Sequence, residues 1–281
     1  MMFRNATEAD LPALCGLMRE AFGDGEAFAR MVFERFAGWG NVYVAAEEGA
    51  APAAMLSAVP VTMRGQKGAY WYALATAGTA RCKGLMSGLM EHAAAQAAGQ
   101  GCRFLALIPA GAGLFPFYAK RGFEKAFGLR RLQRPIKHNL WAQADFDAVT
   151  AKSLLSLRAQ YLPGSVQLGP AGMVEVLTDL YRCGVTIVSS DEGYGLYFKE
   201  GDALRFIELA AVGDRAAELL LEAAREKTGA ARADITLGQA QNLFLGEGAA
   251  QDYGMVRFLG QPMDVSQCYM RLMMDDEPGQ G

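Results

Sequence analysis

The sequence predicts an α/β fold of the α+β type, built as two mixed β-sheet domains flanked by helices. Three observations carry this. Segments with helical spacing alternate with strand-like segments from the first residues onward. The order of segments in the first half partly recurs in the second, without obvious sequence identity. The chain has 281 residues, which at ~150 residues per domain suggests about two domains.

In order, FRNAT (residues 3–7) reads as a short strand. Thr7 with Asp10 three residues later is a capping signature, and Leu11, Leu14, Cys15, Met18, Ala21 and Phe22 then follow at helical spacing. DGEAFARMVFERFAG (24–38) reads as a second helix ended by Gly38. NVYVAAEE (41–48) and AAMLSAVPVTMRG (53–65), with EGAAP between them, predict a hairpin, and AYWYALAT (69–76) a third strand. From Gly84, Leu85, Met86, Leu89, Met90, Ala93, Ala94 and Ala97 form one helical face, stopped by Gly99 and Gly101. CRFLALIPA (102–110) is a buried strand, GLFPFYAKRGF (113–123) a short helix ended by Gly122, and FEKAFGLRRLQR (123–134) a further strand.

RPIKHNLWAQADF (134–146) reads as a connector. Two helices follow, at 146–162 and 172–184. VTIVSS (185–190) and GYGLYFKEGDALRFIELA (193–210) give strands with a hairpin, DRAAELLLEAAREKTG (214–229) a helix, and ADITL (233–237) a strand. YGMVRFL (253–259) and QCYMRLMM (267–274) close the chain as strands, and DDEPGQG (275–281) is expected to be disordered. The predicted domains are 1–135 and 136–274, with 275–281 as the tail.

Composition narrows the function classes. Hydrophobic residues are 52% of the chain, enough for real cores, and the net charge of -3 argues against a nucleic-acid partner, which requires a basic face. The five cysteines, Cys15, Cys82, Cys102, Cys183 and Cys268, are scattered and never form C-x-x-C. A disulfide framework and a zinc knuckle are therefore not expected, and a reducing, cytoplasmic compartment is. The start MMFRNATEAD has no apolar signal core and no run reaches the ~18 apolar residues of a membrane span, so no membrane partner is expected. With only two histidines, His92 and His138, histidine metal sites and Ser-His triads have little support, and no metal is expected.

The stretch RCKGLMSGLM (81–90) brings two cations, a glycine and a helix start together. A helix N-terminus exposes unpaired N–H groups and partial positive charge, phosphates bind there, and Gly84 allows close backbone approach. Arg81 and Lys83 add charge and donors. On the loop alone, a plain strand-to-helix turn with two solvated cations is the favoured reading, because short glycine motifs have many false positives. Context adds an apolar strand before the loop, an amphipathic helix after it, a second strand, and then Tyr118 followed four residues later by Gly122 and Phe123.

At these residues the sequence resembles the GNAT acyltransferase superfamily. The family's arginine or glutamine, two residues, glycine, one residue, glycine or alanine becomes Arg81-Cys82-Lys83-Gly84-Leu85-Met86. Its tyrosine, three residues, Gly-Phe becomes Tyr118-Ala119-Lys120-Arg121-Gly122-Phe123. The resemblance covers roughly the first half of the chain and implies acetyl-CoA as co-substrate. The strands on either side of the long helix would splay apart, and the pantetheine arm would lie between them like an added strand. Leu74, Ala75 and Thr76 would hold it. The N–H groups of Arg81, Cys82, Lys83, Gly84, Leu85, Met86 and Ser87 would cradle the pyrophosphate. Tyr118 would protonate the departing thiolate. Without the family pattern, Tyr118 reads as an apolar-face aromatic on a short helix.

The implied activity is transfer of an acetyl group to a primary amine of a small molecule or peptide by direct attack. A non-catalytic CoA-binding sensor is the alternative, and a homodimer is left open. Two positions depart from the family pattern: Met86 stands where a second small residue is usual, and Gly111 where an asparagine is common. The general base is not identified. Asp24 and Glu26, in the loop after the first helix, are candidates, and Tyr70, Trp71 and Tyr72 either line the acceptor pocket or fill the core. In the second half Asp214 sits at the N-terminus of the equivalent helix, where a carboxylate caps the helix and repels phosphate. No CoA is expected there, and the second half would cover the first domain or shape the acceptor pocket. Mycothiol synthases and enhanced-intracellular-survival-type acetyltransferases share this two-part outline. A dinucleotide fingerprint at Gly111 and Gly113 is weaker, because Pro116 replaces its third glycine.

Overall fold

The structure is a computed structural model that describes residues 1–138 and 141–272. It is a mixed α/β fold in two compact units. Unit 1 is Met1–Glu124 with Met255–Met263, and unit 2 is Lys125–Gly254 with the residues from Asp264 onward. This differs from a single cut after residue 135. The strand 124–135 goes with unit 2, and the last long strand crosses from unit 2 into unit 1. Long-range strand pairing decides both, and local pattern does not carry it.

Unit 1 contains β1 (Met2–Asn5), α1 (Leu11–Phe22), α2 (Glu26–Met31), β2 (Val42–Ala46), β3 (Ala54–Met63), β4 (Gln66–Thr76), α3 (Leu85–Gly99), β5 (Phe104–Leu107) and α4 (Phe115–Ala119). Unit 2 contains β6 (Glu124–Pro135, whose first residue belongs to unit 1), β7 (Asp145–Phe146), α5 (Ala151–Tyr161), β8 (Gln167–Leu168), α6 (Pro170–Arg182), β9 (Thr186–Ser190), β10 (Gly193–Glu200), β11 (Ala203–Ala211), α7 (Asp214–Thr228) and β12 (Arg232–Gly238). The shared strand is β13 (Ala249–Phe258).

In unit 1 the strands run in the order β1-β2-β3-β4-β5, and residues 255–258 of β13 add antiparallel to β5. All pairs are antiparallel except β4–β5, which are parallel. Parallel neighbours need a crossover connection, and α3 supplies it. Its stripe of Leu89, Met90, Ala93, Ala94 and Ala97 packs on Tyr43, Leu56, Ala58, Trp71, Leu105 and Leu107. The alanines and Gly88 keep the helix close to the sheet: a Cβ at Gly88 would lie 2.3 Å from the Phe3 ring.

The expected capping signature before α1 is present. The Asp10 carboxylate accepts hydrogen bonds from the Thr7 N–H at 2.8 Å and the Thr7 hydroxyl at 3.1 Å. It also takes both arms of Arg4, at 2.7 and 2.8 Å. The Arg4 hydrogen bond is the main reason its pKa falls from 3.8 to about 2, against the opposing effect of burial. A depressed carboxyl pKa contributes stability above the unfolded value, and that contribution is lost as pH falls through the folded value. Asp10→Asn should therefore lose up to about 2 kcal/mol at pH 7, screened in part because Arg4 is one-third exposed. Urea denaturation should show the gap closing between pH 4 and pH 2.

The second helix is shorter than expected: α2 ends at Met31 and a wider π-type turn, Val32–Phe36, completes it. The expected strand at 267–274 is absent over its described part, 267–272. Cys268, Tyr269, Met270, Arg271 and Leu272 are all buried, which is why the run reads as a central strand. Instead of a ladder, the Tyr269 carbonyl accepts the Val166 N–H at 2.8 Å and the Arg271 carbonyl accepts the Arg158 guanidinium at 2.6 Å. Arg158 in turn pairs with Glu208 at 3.3 Å, both essentially unexposed, and Glu208 accepts the hydroxyls of Tyr194 and Tyr269 at 2.7 and 3.0 Å. The tail 275–281 and residues 273–274 lie outside the described residues.

Unit 2 repeats the connectivity of unit 1. Two helices, α5 and α6, precede the antiparallel run β9-β10-β11, and α7 then crosses to β12, parallel to β11. β7 pairs antiparallel with β9 as β1 does with β2. The strand order is β6-β12-β11-β10-β9-β7. Leu220, Leu221 and Ala224 of α7 pack on Val188, Tyr197, Phe206 and Ile235.

Candidate active site

The site in unit 1 begins with β4. Its register against β3 shifts between Met55 and Ser57, and Ala73 there has φ of 54°. An alanine in the left-handed region marks a bulge imposed by the surrounding sheet. Pairing of β4 with β5 ends at Trp71 and Leu107, while β4 continues to Thr76. The Ala77 N–H donates to the Ala53 carbonyl at 2.9 Å. Antiparallel alternation then turns the main-chain groups of Ala75 toward β3 and those of Leu74 and Thr76 away from it, into the space past the end of β5.

A tight turn, residues 77–84, leads from this edge into α3. Cys82 has φ of 61° and Gly84 φ of 77°, so two left-handed residues flank Lys83. Such alternation gathers successive N–H groups into a concave nest. Gly84 is the N-cap of α3, and no side chain caps the helix. The N–H groups of Gly84, Leu85, Met86 and Ser87 thus have no intrahelical partner. A Cβ at Gly84 would meet no atom within 4 Å, so the space in front of the turn is open. Cys82 and Lys83 are exposed. Met86 is half-buried and packs with Leu85 and Leu74 against the core. Its side chain is therefore directed inward and its N–H stays in the first turn.

Tyr118 lies in α4 and is buried, with an exposure of 7%. Its ring packs edge-on against Phe117 and Phe123, with centroids at 5.2 and 6.0 Å. Phe123 in turn sits 5.3 Å from Trp71, the residue where the β4–β5 ladder stops. The Tyr118 hydroxyl has no hydrogen-bond partner among the described residues. Burial pushes its pKa up to about 12, against an opposing pull from Arg121.

Arg121 fastens this helix to the turn. Its Nε donates to the Ser87 hydroxyl at 3.2 Å and its Nη1 to the Phe117 carbonyl at 2.6 Å, and its guanidinium lies 3.5 Å over the Phe117 ring. Arg121 was visible inside the tyrosine motif, but its reach to Ser87 required the fold. Glu20 gave no sequence signal. Its Oε1 accepts the Gly78 N–H at 2.7 Å and stands 3.6 Å from Arg81.

The other candidates divide by face. Trp71 packs under α3, while Tyr70 and Tyr72 lie on the opposite face, Tyr72 edge-on to Phe36 at 5.9 Å. Tyr70 and Trp71 are buried and Tyr72 is half-buried. Glu26 is held in an i,i+4 pair with Arg30 at 3.5 Å, and Asp24 also has a partner. Gly111 is extended backbone before a short turn. All five cysteines are free. Among the described residues no cluster of three or more His, Cys, Asp or Glu could hold a metal ion, and no helix is long and apolar enough to cross a membrane.

In unit 2 the first turn of α7 is arranged differently. Asp214 Oδ1 accepts the Phe244 N–H at 2.6 Å. Phe244, Leu245 and Gly246 are three successive left-handed residues, and the buried Arg130 binds the carbonyls of Gln241 and Leu243 at 2.6 and 3.2 Å. The turn is thus covered by the chain's own loop.

An open, uncapped helix start thus follows a bulged strand edge, with a phenol alongside. Residues 11–123 match the model of the Acetyltransferase (GNAT) family. The whole chain is similar in structure to the GCN5-related N-acetyltransferase from Kribbella flavida, with a TM-score of 0.72 at 17% identity over 92% of this chain and 72% of that one. A conserved protein from Enterococcus faecalis V583, described as a probable N-acyltransferase, gives 0.71 at 15% identity over 95% and 73%. The GCN5-related N-acetyltransferase from Anabaena variabilis ATCC 29413 gives 0.69 at 19% over 92% and 73%. At these identities the likeness is one of fold. No curated protein matches the chain in sequence.

Proposed function

We propose that unit 1 transfers an acetyl group from acetyl-CoA to a primary amine of a small molecule or peptide. The observation that carries this reading is the convergence, within one unit, of an uncapped helix start, a strand edge without a ladder partner and an unpartnered phenol. Leu74, Ala75 and Thr76 form the strand edge, with Leu74 and Thr76 offering their main-chain groups to the pantetheine amides. The turn from Arg81 to Ser87 seats the diphosphate. The N–H of Arg81 already donates to Gly78 O at 3.4 Å, so the free donors begin at Cys82. Most of the acceleration comes from holding amine and thioester together and from main-chain donors on the carbonyl oxygen.

Tyr118 donates a hydrogen bond to the leaving sulfur. A thiol resembling cysteine has a pKa of roughly 8.5, well below that of the buried phenol. Full proton transfer is therefore uphill, and the phenol, held up at about 12 by burial, stabilises the developing thiolate while keeping its own proton.

The test is release of free thiol from acetyl-CoA with a panel of amines, together with calorimetric binding of acetyl-CoA. Amine-dependent release supports the transferase. Binding without release across the panel points to the sensor reading, and no binding overturns both.

A further inference from the structure

Arg81 begins the glycine turn, yet its side chain does not lie along that turn. It folds back over residues 77–80 so that its Nε donates to the Thr76 carbonyl at 3.1 Å, and its Nη2 stands 3.6 Å from Glu20 Oε1. The same Glu20 oxygen accepts the Gly78 N–H at 2.7 Å. The Thr76 carbonyl is one of the two main-chain acceptors that alternation turns toward the free edge of β4. A strand edge with an unmet carbonyl is a template for an incoming amide, and here a side chain of the same protein meets it.

We propose that Arg81 is a displaceable latch: its guanidinium stands in for a pantetheine amide on the Thr76 carbonyl, and binding of the thioester substrate exchanges it onto the diphosphate. This rests on the acetyl-CoA reading above and adds to it an order of events and a basis for discrimination. The latch is weak by construction. Arg81 and Glu20 have side-chain exposures of 57% and 46%, and exposed pairs of this kind contribute little. A ligand carrying a diphosphate gives the displaced guanidinium a new, charge-assisted partner. A ligand with the pantetheine arm alone has to break the Arg81–Thr76 bond and offers no replacement. The site is thereby selective for whole acyl-CoA over acyl-pantetheine thioesters, through a residue that in the free protein touches neither phosphate nor thioester position.

The experiment measures affinity for acetyl-CoA and for S-acetylpantetheine, by calorimetry, in the full chain and in Arg81→Ala and Glu20→Gln. In Arg81→Ala the two ligands should move in opposite directions. S-acetylpantetheine should bind about 3- to 10-fold tighter, the scale of one freed hydrogen bond, and acetyl-CoA about 10-fold weaker, the scale of one lost charged contact. Glu20→Gln keeps an acceptor for the Gly78 N–H but removes the charge that holds Arg81 home. Both ligands should then bind tighter, by about 2- to 5-fold. A merely structural role for Arg81 would weaken both ligands together, and that result, or unchanged S-acetylpantetheine affinity, overturns the latch. Should Arg81→Ala fail to fold, Glu20→Gln decides alone, since unchanged or weaker binding of both ligands is then the negative result. Failure of the unaltered chain to bind acetyl-CoA is a different outcome and removes the reading beneath the proposal.

Discussion

Tyr118→Phe should lower kcat by about 100-fold, the lower end of what one preorganised hydrogen-bond donor contributes, while the KM for acetyl-CoA stays within about 2-fold. The ring keeps its packing on Phe117 and Phe123, and the hydroxyl has no partner to orphan. The melting temperature should accordingly be unchanged. Because burial holds the phenol at about 12, the unaltered protein should show no loss of kcat from Tyr118 ionisation up to pH 10. Steady-state kinetics on both proteins from pH 6 to pH 10 check this. Equal loss of kcat/KM and of acetyl-CoA affinity would reassign Tyr118 from hydrogen-bond donor to the leaving sulfur to binding or packing.

Gly84→Asp should separate stability from binding in the opposite sense. Aspartate tolerates the left-handed region better than most residues, nothing obstructs a Cβ at this position, and a carboxylate at an uncapped helix start is favourable. The melting temperature should hold or rise slightly. The same carboxylate stands where the diphosphate is proposed to bind, so acetyl-CoA affinity should fall by about 100-fold, the sum of like-charge repulsion and blocked N–H groups. Salt should partly relieve the defect. Unit 2 already carries this experiment in its own sequence, since Asp214 occupies the first turn of α7 and takes the Phe244 N–H. Calorimetry against thermal melts distinguishes a displaced ligand from a misfolded loop.

Much of unit 1 was legible because its signals are local. The Thr7–Asp10 signature lies within four residues, the α3 stripe repeats at helical spacing, and the turn at 81–87 adjoins it. Features fixed by distant partners were not legible. An alanine rarely takes a positive φ, so nothing in YALAT announced the bulge at Ala73; the register of β3 imposes it. Cys268 to Leu272 read as a strand because burial on all sides looks the same whether a ladder or a guanidinium satisfies the main chain. Arg121 lies inside the tyrosine motif, but its grip on Ser87 spans 34 positions and follows from how α4 meets α3. By sequence Arg81 is a cation for the phosphate, whereas in the fold its guanidinium donates to a carbonyl five residues back.

The passage of β13 from one unit to the other bears on how the protein is made. Residues 255–258 complete the edge of β5, yet they are synthesised well over a hundred residues after it. Domains made early on the ribosome ordinarily close before the next emerges, at about 5 to 20 residues per second. Here the amino-terminal unit keeps a raw hydrogen-bonding edge at β5 until residues 255–258 have been made. A chain cut before residue 255 therefore leaves the β5 edge unpaired, and such fragments should aggregate through it.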